Sequence, residues 1–160
     1  MAASPHLFGN LVQLGYAVTD FDRASARFGE RYGIDRWKVV PLDPGSPASR
    51  IAMAYVGDII FELVEVDLSV DLLPIHRGWL PADPAGARFN HVAFMLESME
   101  EFGGAQDHFR ELGVDVPVVM SFGDIFEFFY ADTVAELGHW SEFLCLGPAG
   151  ADFLADIPRF

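Results

Sequence analysis

The chain is short of cations and of long apolar runs, and each shortage excludes a class of partner. It has 10 Lys and Arg residues against 24 Asp and Glu, and its single lysine is Lys38. The resulting net charge of −14 would repel a phosphate backbone, so we expect no nucleic-acid partner. No apolar run reaches the roughly 18 residues that a membrane span needs, so we expect no membrane partner either.

Cysteine is almost absent. Cys145 has no second cysteine in the chain with which to form an internal disulfide, which is typical of proteins in a reducing compartment. The first residues, Met-Ala-Ala-Ser-Pro-His, lack the basic start and apolar stretch of a signal peptide. We therefore expect a cytoplasmic protein.

What the chain does have is an internal repeat that covers nearly all of it. Hydrophobic residues make up 51% of the 160, which is enough to build the core of one ordinary domain. Gln13 and His91 lie 78 residues apart in similar apolar segments, and Glu62 and Glu142 lie 80 residues apart in two others. Such a repeat predicts two copies of one structural unit.

The order of predicted elements is the same in both halves: a strand, a helix and then three strands. Residues 10–18 alternate with a period of two, which is typical of a strand. Helices are predicted to begin after Asp20 and Ser98, which are good N-terminal caps, and to end at Gly33 and Gly113. The other strands are predicted at residues 36–41, 49–56, 58–67, 88–96, 115–121, 124–131 and 139–146.

These elements predict an α+β fold made of two βαβββ modules, at about residues 10–67 and 88–147, within a single domain that spans residues 1–160. The Pro- and Asp-rich residues 68–87 are predicted to be a linker. Each module should form a curved mixed sheet backed by its helix, with the opposite faces lining a cup. Pairing of first and last strands would then bring four polar side chains towards one point: Gln13, Glu62, His91 and Glu142.

The doubled order resembles the vicinal-oxygen-chelate superfamily, which includes glyoxalase I, methylmalonyl-CoA epimerase, extradiol dioxygenases and bleomycin-binding proteins. The resemblance covers roughly residues 10–147. It rests on the first-strand motif followed by Thr-Asp-Phe-Asp-Arg-Ala at 19–24, on the Gly-Ile at the first helix end and on the glutamate in each fourth strand. It implies a glyoxalase or bleomycin-resistance-like fold. Metal-using members take their ligands from the first and fourth strands, which implies a metal site here at Gln13, Glu62, His91 and Glu142.

The ligand set separates the branches of this superfamily. Gln, Glu, His and Glu is a set that the glyoxalase I branch uses, whereas extradiol dioxygenases need two histidines and one glutamate for iron. Glutathione-dependent glyoxalase I carries an arginine where this chain has Ala17, and an asparagine where it has Val66. The resemblance therefore implies a substrate that is not glutathione-linked. The first-strand motif looks more like that of methylmalonyl-CoA epimerase, although that branch usually has histidine at the position of Gln13.

Each candidate ligand also has a purely structural interpretation. His91 and Gln13 can simply hydrogen-bond within the core, and Glu62 and Glu142 can lie on strand faces that meet solvent. A carboxylate inside an apolar strand is otherwise a costly buried charge, for which a cation is the usual compensation. Glu65 points to the opposite face from Glu62, so it is not assigned to the site.

The remaining histidines are predicted to lie outside the ligand set. His139 precedes Glu142 by three residues on the other strand face, so we expect it at the rim of the site. The other three are predicted to be surface residues: His6, His76 and His108.

These features predict a metal-dependent isomerase or lyase of the glyoxalase type, which stabilises an enolate or enediolate of a small or hydrophobic carbonyl substrate. The cofactor would be a divalent ion, and mixed nitrogen and oxygen ligands leave Zn, Ni, Co, Mn and Fe open. Glu62 or Glu142 would be the catalytic base that removes a proton next to the carbonyl. The partners expected are a small-molecule substrate and, because short sheets leave exposed edges, a second copy in a homodimer.

Two alternatives stay open. The first is an acyl-CoA epimerase that uses the same residues in the same roles, with a local anion site supplied by Arg50, Arg77 and Arg88. The second is a metal-free protein that binds a hydrophobic ligand or drug. Two buried carboxylates are unfavourable in a hydrophobic binding cup, which weighs against the second alternative.

Overall fold

The structure is a computed structural model that describes residues 7–160, so the prediction for His6 lies outside the described residues. In chain order its elements are β1 (Leu11–Val18), α1 (Phe21–Tyr32), β2 (Lys38–Pro41), β3 (Ala48–Val56), β4 (Ile59–Val66), β5 (Arg88–Leu96), α2 (Met99–Glu111), β6 (Val118–Phe122), β7 (Phe126–Ala131), α3 (Val134–Leu137), β8 (Trp140–Leu146) and α4 (Gly150–Ala155). The short helices α3 and α4 were not predicted. No helix among the described residues is long and apolar enough to cross a membrane.

The predicted α+β fold with mixed strand pairing is confirmed. All eight strands belong to one sheet, in the order β2-β3-β4-β1-β5-β8-β7-β6, where two separate sheets had been expected. β1 and β4 are parallel, whereas β3 and β4 are antiparallel. Strand pairing between distant parts of the chain leaves little local signal, which is why the joining of the two sheets was not predicted.

Both long helices begin and end where their capping residues predict. The Asp20 carboxylate accepts a hydrogen bond of 3.1 Å from the backbone N–H of Arg23. The Ser98 hydroxyl accepts one of 3.1 Å from the N–H of Glu101. Gly33 ends α1 with a φ of 73°, a left-handed conformation that glycine adopts without steric cost.

One compact unit comprises residues 13–91 and 156–160. Its strands β3 and β4 are joined by the predicted tight turn at Gly57 and Asp58, where Gly57 has a φ of 61°. Helix α1 covers the apolar side of these strands, and each fully buried large apolar side chain contributes about 1.5–3 kcal/mol. The core of this unit is formed by Val18, Phe21, Ala24, Phe28, Ile34, Ala52, Ala54 and Leu63.

A second compact unit comprises residues 7–12 and 92–155. β7 pairs antiparallel with both β6 and β8, and the apolar side of α2 packs in the same core. Neighbouring aromatic rings stack or meet edge to face, with centroids 5.0–6.4 Å apart. Five of the 15 phenylalanines build this core: Phe94, Phe102, Phe109, Phe129 and Phe143.

Residues 67–87 connect β4 to β5 and contain neither helix nor strand. They nevertheless bury side chains, because Ile75, His76 and Ala85 are 3%, 4% and 8% exposed. The prediction that His76 lies on the surface is therefore wrong. The apolar partners of this stretch are distant in sequence, so no periodic pattern reveals which of its side chains face inward.

Candidate metal site

All four candidate ligands are buried. Gln13 is 3% exposed, Glu62 6%, His91 1% and Glu142 4%. Within the unit of residues 13–91, His91 Nε2 lies 3.2 Å from Glu62 Oε2, and Glu142 is buried in the other unit. Buried carboxylates and imidazoles at such spacing fit a cation, because uncompensated burial of two carboxylates is unfavourable.

Strand pairing brings Glu62 beside Gly15. The parallel register of β1 and β4 pairs Gly15 with Glu62 and Gln13 with Ile60, so Gln13 and Glu62 project from the same face of the sheet. A Cβ atom on Gly15 would overlap the imidazole of His91. The missing side chain of Gly15 is therefore what makes room for the His91 ring against this face.

Asn90 determines which nitrogen of His91 carries the proton. The Asn90 Nδ2 donates to the carbonyl oxygen of Ile75 at 2.7 Å, which orients the amide because a carbonyl can only accept. The Asn90 Oδ1 then faces the His91 Nδ1 at 2.9 Å. Because Oδ1 can only accept, Nδ1 must be the donor. Neutral His91 therefore carries its hydrogen on Nδ1 and keeps a lone pair on Nε2.

The Nε2 atom of His91 faces one acceptor, the Glu62 carboxylate, and one donor, the Gln13 amide nitrogen. His91 Nε2 lies 3.2 Å from Glu62 Oε2. The Gln13 amide nitrogen donates to Glu62 Oε2 at 3.0 Å and lies 3.3 Å from His91 Nε2. A lone pair and a carboxylate oxygen repel at this distance unless a proton or a cation lies between them.

Gln13 presents its amide nitrogen, not its oxygen, to Glu62 and His91. A metal ligand would have to be the oxygen, Oε1, so ligation by Gln13 requires a half turn of its amide group. Glu62, His91 and Glu142 would already supply two carboxylates and one imidazole nitrogen. This donor set suits a divalent transition metal and leaves coordination positions for a substrate.

Glu65 lies outside the candidate metal site, as the sequence analysis predicted from its position on the opposite strand face. Its carboxylate accepts hydrogen bonds from Arg50 Nε at 2.7 Å, from the backbone N–H of Phe21 at 2.8 Å and from the Ser49 hydroxyl at 2.8 Å. Burial acts to raise the pKa of Glu65, but these hydrogen bonds outweigh it and the pKa is lowered. Glu65 is thus an ion-paired structural carboxylate.

The other histidines divide into two kinds. His139 is half-buried, and its Nδ1 lies 2.8 Å from the carbonyl oxygen of Trp140, while His108 is half-buried on α2. His76 is buried, and burial together with the like charge of His91 lowers its pKa to about 4.

Sequence reasoning missed His76, and it also missed Asn90 and the reason for Gly15. An amide beside a histidine in a strand was the only available signal for Asn90.

A separate cavity of about 720 Å³ lies in the unit formed by residues 7–12 and 92–155. It is lined by the end of α2 and by the chain around α3. None of the four candidate ligands lines it, so this cavity is not the candidate metal site.

No protein-family model and no curated protein matches the chain. Solved structures do match it. Methylmalonyl-CoA epimerase from Mycobacterium tuberculosis superposes with a TM-score of 0.63 at 17% identity, over 95% of this chain and 96% of that one. A Streptomyces coelicolor methylmalonyl-CoA epimerase variant in complex with 2-nitronate-propionyl-CoA gives 0.65 at 18% identity, over 87% and 98%. A hypothetical protein from Bacillus halodurans gives 0.60 at 18% identity, over 85% and 93%.

At such identities the likeness concerns the fold. The matched structures cover nearly the whole chain, and the order of strands and helices is that expected from the internal repeat. The protein therefore has the glyoxalase, or vicinal-oxygen-chelate, fold.

Proposed function

We propose that this protein is a metal-dependent isomerase or lyase of the glyoxalase type, acting on a carbonyl substrate with a second oxygen beside the carbonyl. One observation carries the proposal. The Nε2 atom of His91, oriented through Asn90, faces the buried carboxylate of Glu62 at 3.2 Å. This arrangement of buried acceptors is costly for a core and suited to a cation.

The residues that would hold a divalent ion are Glu62, His91 and Glu142, with Gln13 joining after rotation of its amide. A bound divalent ion would supply Lewis acidity that polarises the substrate carbonyl. Glu62 or Glu142 would take the proton from the carbon next to that carbonyl.

His91 and Asn90 have a positioning task in this scheme. Because the Asn90 amide is itself anchored on the Ile75 carbonyl, the imidazole of His91 has a fixed orientation as well as a fixed tautomer. Partners of this kind raise the basicity of a metal-bound imidazole and keep it aligned. The burial of all three proposed ligands also excludes water from the proton-transfer step.

Metal analysis and a proton-exchange assay test this proposal. Protein purified without added metal should contain about one divalent transition metal ion per chain. In D2O the metal-loaded protein should exchange the protons next to the carbonyl of 2-hydroxyacetophenone, followed by the loss of their NMR signal, and chelation should abolish exchange. Absence of metal, with failure of added Co2+ to bind, would instead favour the metal-free binding protein.

Acyl-CoA epimerisation is the second candidate, and two exposed arginines favour it. Arg50 is occupied by Glu65 and Asp22, so it is not available to a phosphate. Arg77 and Arg88 are exposed, and neither has an acidic partner among the described residues. The guanidinium of Arg88 lies over the ring of Trp79, 5.2 Å from its centroid. Such a group suits a nucleotide phosphate.

The Streptomyces coelicolor neighbour holds a propionyl-CoA analogue, so methylmalonyl-CoA is the probe of choice. If an acyl-CoA is the substrate, the double variant Arg77→Ser, Arg88→Ser should raise the KM for methylmalonyl-CoA and leave kcat nearly unchanged. The matched control is Arg31→Ser in α1. Exchange of 2-hydroxyacetophenone with none of methylmalonyl-CoA would exclude this second candidate.

We also propose that the chain forms a homodimer. β2 and β6 are the edge strands of the sheet, and each exposes large apolar side chains: Val39, Val119 and Met120. Exposed edges of this kind are commonly covered by a partner. Light scattering at micromolar concentration should give twice the monomer mass of 17.7 kDa, and a monomer mass would exclude the dimer.

A further inference from the structure

His76 is a buried residue in a turn of the segment that connects β4 to β5. Its side chain is buried, although Arg77 and Gly78, which follow it, are exposed. The turn is fixed by backbone hydrogen bonds from the N–H of His76 to Leu73 at 2.9 Å and from the N–H of Trp79 to His76 at 3.0 Å. The position of the imidazole is therefore set by the backbone and does not depend on a flexible loop.

Asn90 ties this turn to the candidate metal site. Its amide donates to the carbonyl of Ile75, the residue before His76, at 2.7 Å, and it accepts from His91 Nδ1 at 2.9 Å. One amide group thus separates the backbone next to His76 from the ring of His91. The lowering of the His76 pKa, caused first by burial and then by the charge of His91, agrees with this proximity.

The Nδ1 atom of His76 is buried and has no hydrogen-bond partner among the described residues. Buried polar atoms almost always have a partner, and one that lacks a partner in the protein alone calls for an explanation such as a catalytic role, a water or a bound ion. His76 does not belong to the group of Glu62, His91 and Glu142. Its unused nitrogen therefore suits contact with a ligand better than contact with the ion.

We propose that His76 binds the substrate, by donating a hydrogen bond from Nδ1 to an oxygen of the molecule held at Glu62, His91 and Glu142. This inference rests on the proposed function. Its imidazole is neutral at physiological pH, so it does not repel a nearby cation, and it can stabilise negative charge that develops on a carbonyl oxygen. The ligand class is a molecule with two adjacent oxygens, such as a 2-hydroxy carbonyl compound.

Acetohydroxamate, which binds divalent metals through two adjacent oxygens, is the probe. The Co2+-loaded protein is titrated with acetohydroxamate and followed by its visible spectrum, for the parent, His76→Leu and His76→Asn. We expect His76→Leu to weaken acetohydroxamate binding about tenfold, the effect of one lost hydrogen bond, with Co2+ affinity unchanged. His76→Asn should restore most of the affinity, because its amide places an N–H near the position of Nδ1. His108→Leu on α2 is the control and should bind like the parent.

The outcomes separate this inference from the proposed function. If the parent protein binds no Co2+, both fail. If Co2+ binds but His76→Leu binds acetohydroxamate as the parent does, only the role of His76 fails. If His76→Leu and His76→Asn weaken acetohydroxamate binding equally, the side chain acts through packing and not through a hydrogen bond. That result would also overturn the proposed role of His76. An Nδ1 signal of His76 that shifts in 15N NMR spectra when acetohydroxamate is added would support the direct contact.

Discussion

Two glutamates on β4, three residues apart, show two ways in which this chain deals with a carboxylate. Glu65 accepts hydrogen bonds from Arg50 and Ser49, and its side chain is 14% exposed. Glu62 lies on the opposite face, 7% exposed, where it contacts Gln13 and the Nε2 of His91. The first carboxylate is neutralised by a cation of the chain itself. The second faces an oriented imidazole, an arrangement that a metal ion would stabilise.

The difference shows that burial alone does not identify a functional carboxylate. Both glutamates interrupt the same apolar strand, and the pattern of strand faces separates them. The surroundings then decide their roles. A guanidinium beside Glu65 makes it a structural residue, whereas an imidazole whose lone pair is directed at Glu62 makes that residue a candidate ligand.

The largest effect is expected from removing the charge of one carboxylate in the proposed metal site. Glu142→Gln keeps the shape of the side chain and deletes one anionic donor. Removing a residue that only hydrogen-bonds to a metal ligand lowers metal affinity about 10–100-fold. Removing the charge of a ligand itself should therefore lower Co2+ affinity about 100-fold or more. The melting temperature of the metal-free protein should stay equal or rise, because repulsion between carboxylates is relieved. Calorimetric titration with Co2+ and thermal melts measure both, and unchanged Co2+ binding would remove Glu142 from the site.

A second change tests whether the His91 ring fills the space that the missing side chain of Gly15 leaves beside Glu62. Gly15→Ala places a methyl group where the His91 ring lies. We expect about 1–3 kcal/mol of destabilisation, the usual cost of overpacking, and at least tenfold weaker Co2+ binding because the imidazole must move. Chemical denaturation and Co2+ titration are the measurements. In the control Gly103→Ala, no neighbouring atom lies within 4 Å, so stability should rise by up to about 1 kcal/mol.

The role of Asn90 is tested by separating its two hydrogen bonds. Asn90→Leu removes both of them and should weaken Co2+ binding by about 10–100-fold. Asn90→Asp keeps the acceptor for His91 Nδ1 and loses the donor to Ile75, so it should bind Co2+ more tightly than Asn90→Leu. Nitrogen-15 NMR of His91 reports the tautomer directly. A parent protein with its hydrogen on Nε2 would contradict the account of this residue.

The smallest effect is expected from substituting Glu65, which should lower the free energy of unfolding by an amount that depends on pH. The folded-state pKa of Glu65 is lowered, so its contribution is present above the unfolded value of 4.5 and is lost as the pH falls through the folded value. Glu65→Gln should therefore cost about 0.2–1 kcal/mol near neutral pH, as for a partly exposed ion pair, and less in acid. Denaturation at pH 7 and at pH 3 measures this, and an equal cost at both values would contradict it.

Local signals in the sequence were sufficient for the two long helices and for the choice of strand faces. Asp20, Ser98 and Gly33 act on neighbouring residues only, so their caps can be recognised without the fold. The period of two in β4 was likewise enough to place Glu62 and Glu65 on opposite faces. The internal repeat brought the four candidate ligands together as a hypothesis, although their binding of a metal remains a prediction.

Features that depend on distant contacts could not be predicted in this way. The joining of all strands into one sheet rests on pairing between remote segments, and the turn that buries His76 has no periodic pattern. The role of Gly15 could not be predicted, because it depends on where the His91 ring lies. The two hydrogen bonds of Asn90 depend on the position of Ile75, 15 residues earlier.

The most direct test compares the two glutamates of β4 under one measurement. Glu62→Gln and Glu65→Gln make the same chemical change three residues apart, and calorimetric titration with Co2+ measures the affinity of each against the parent. We predict about 100-fold or greater loss of affinity for Glu62→Gln, by the reasoning given for Glu142. Glu65→Gln should bind Co2+ as tightly as the parent. Equal affinities in both variants and the parent would contradict the metal site at Glu62, and with it the proposed function.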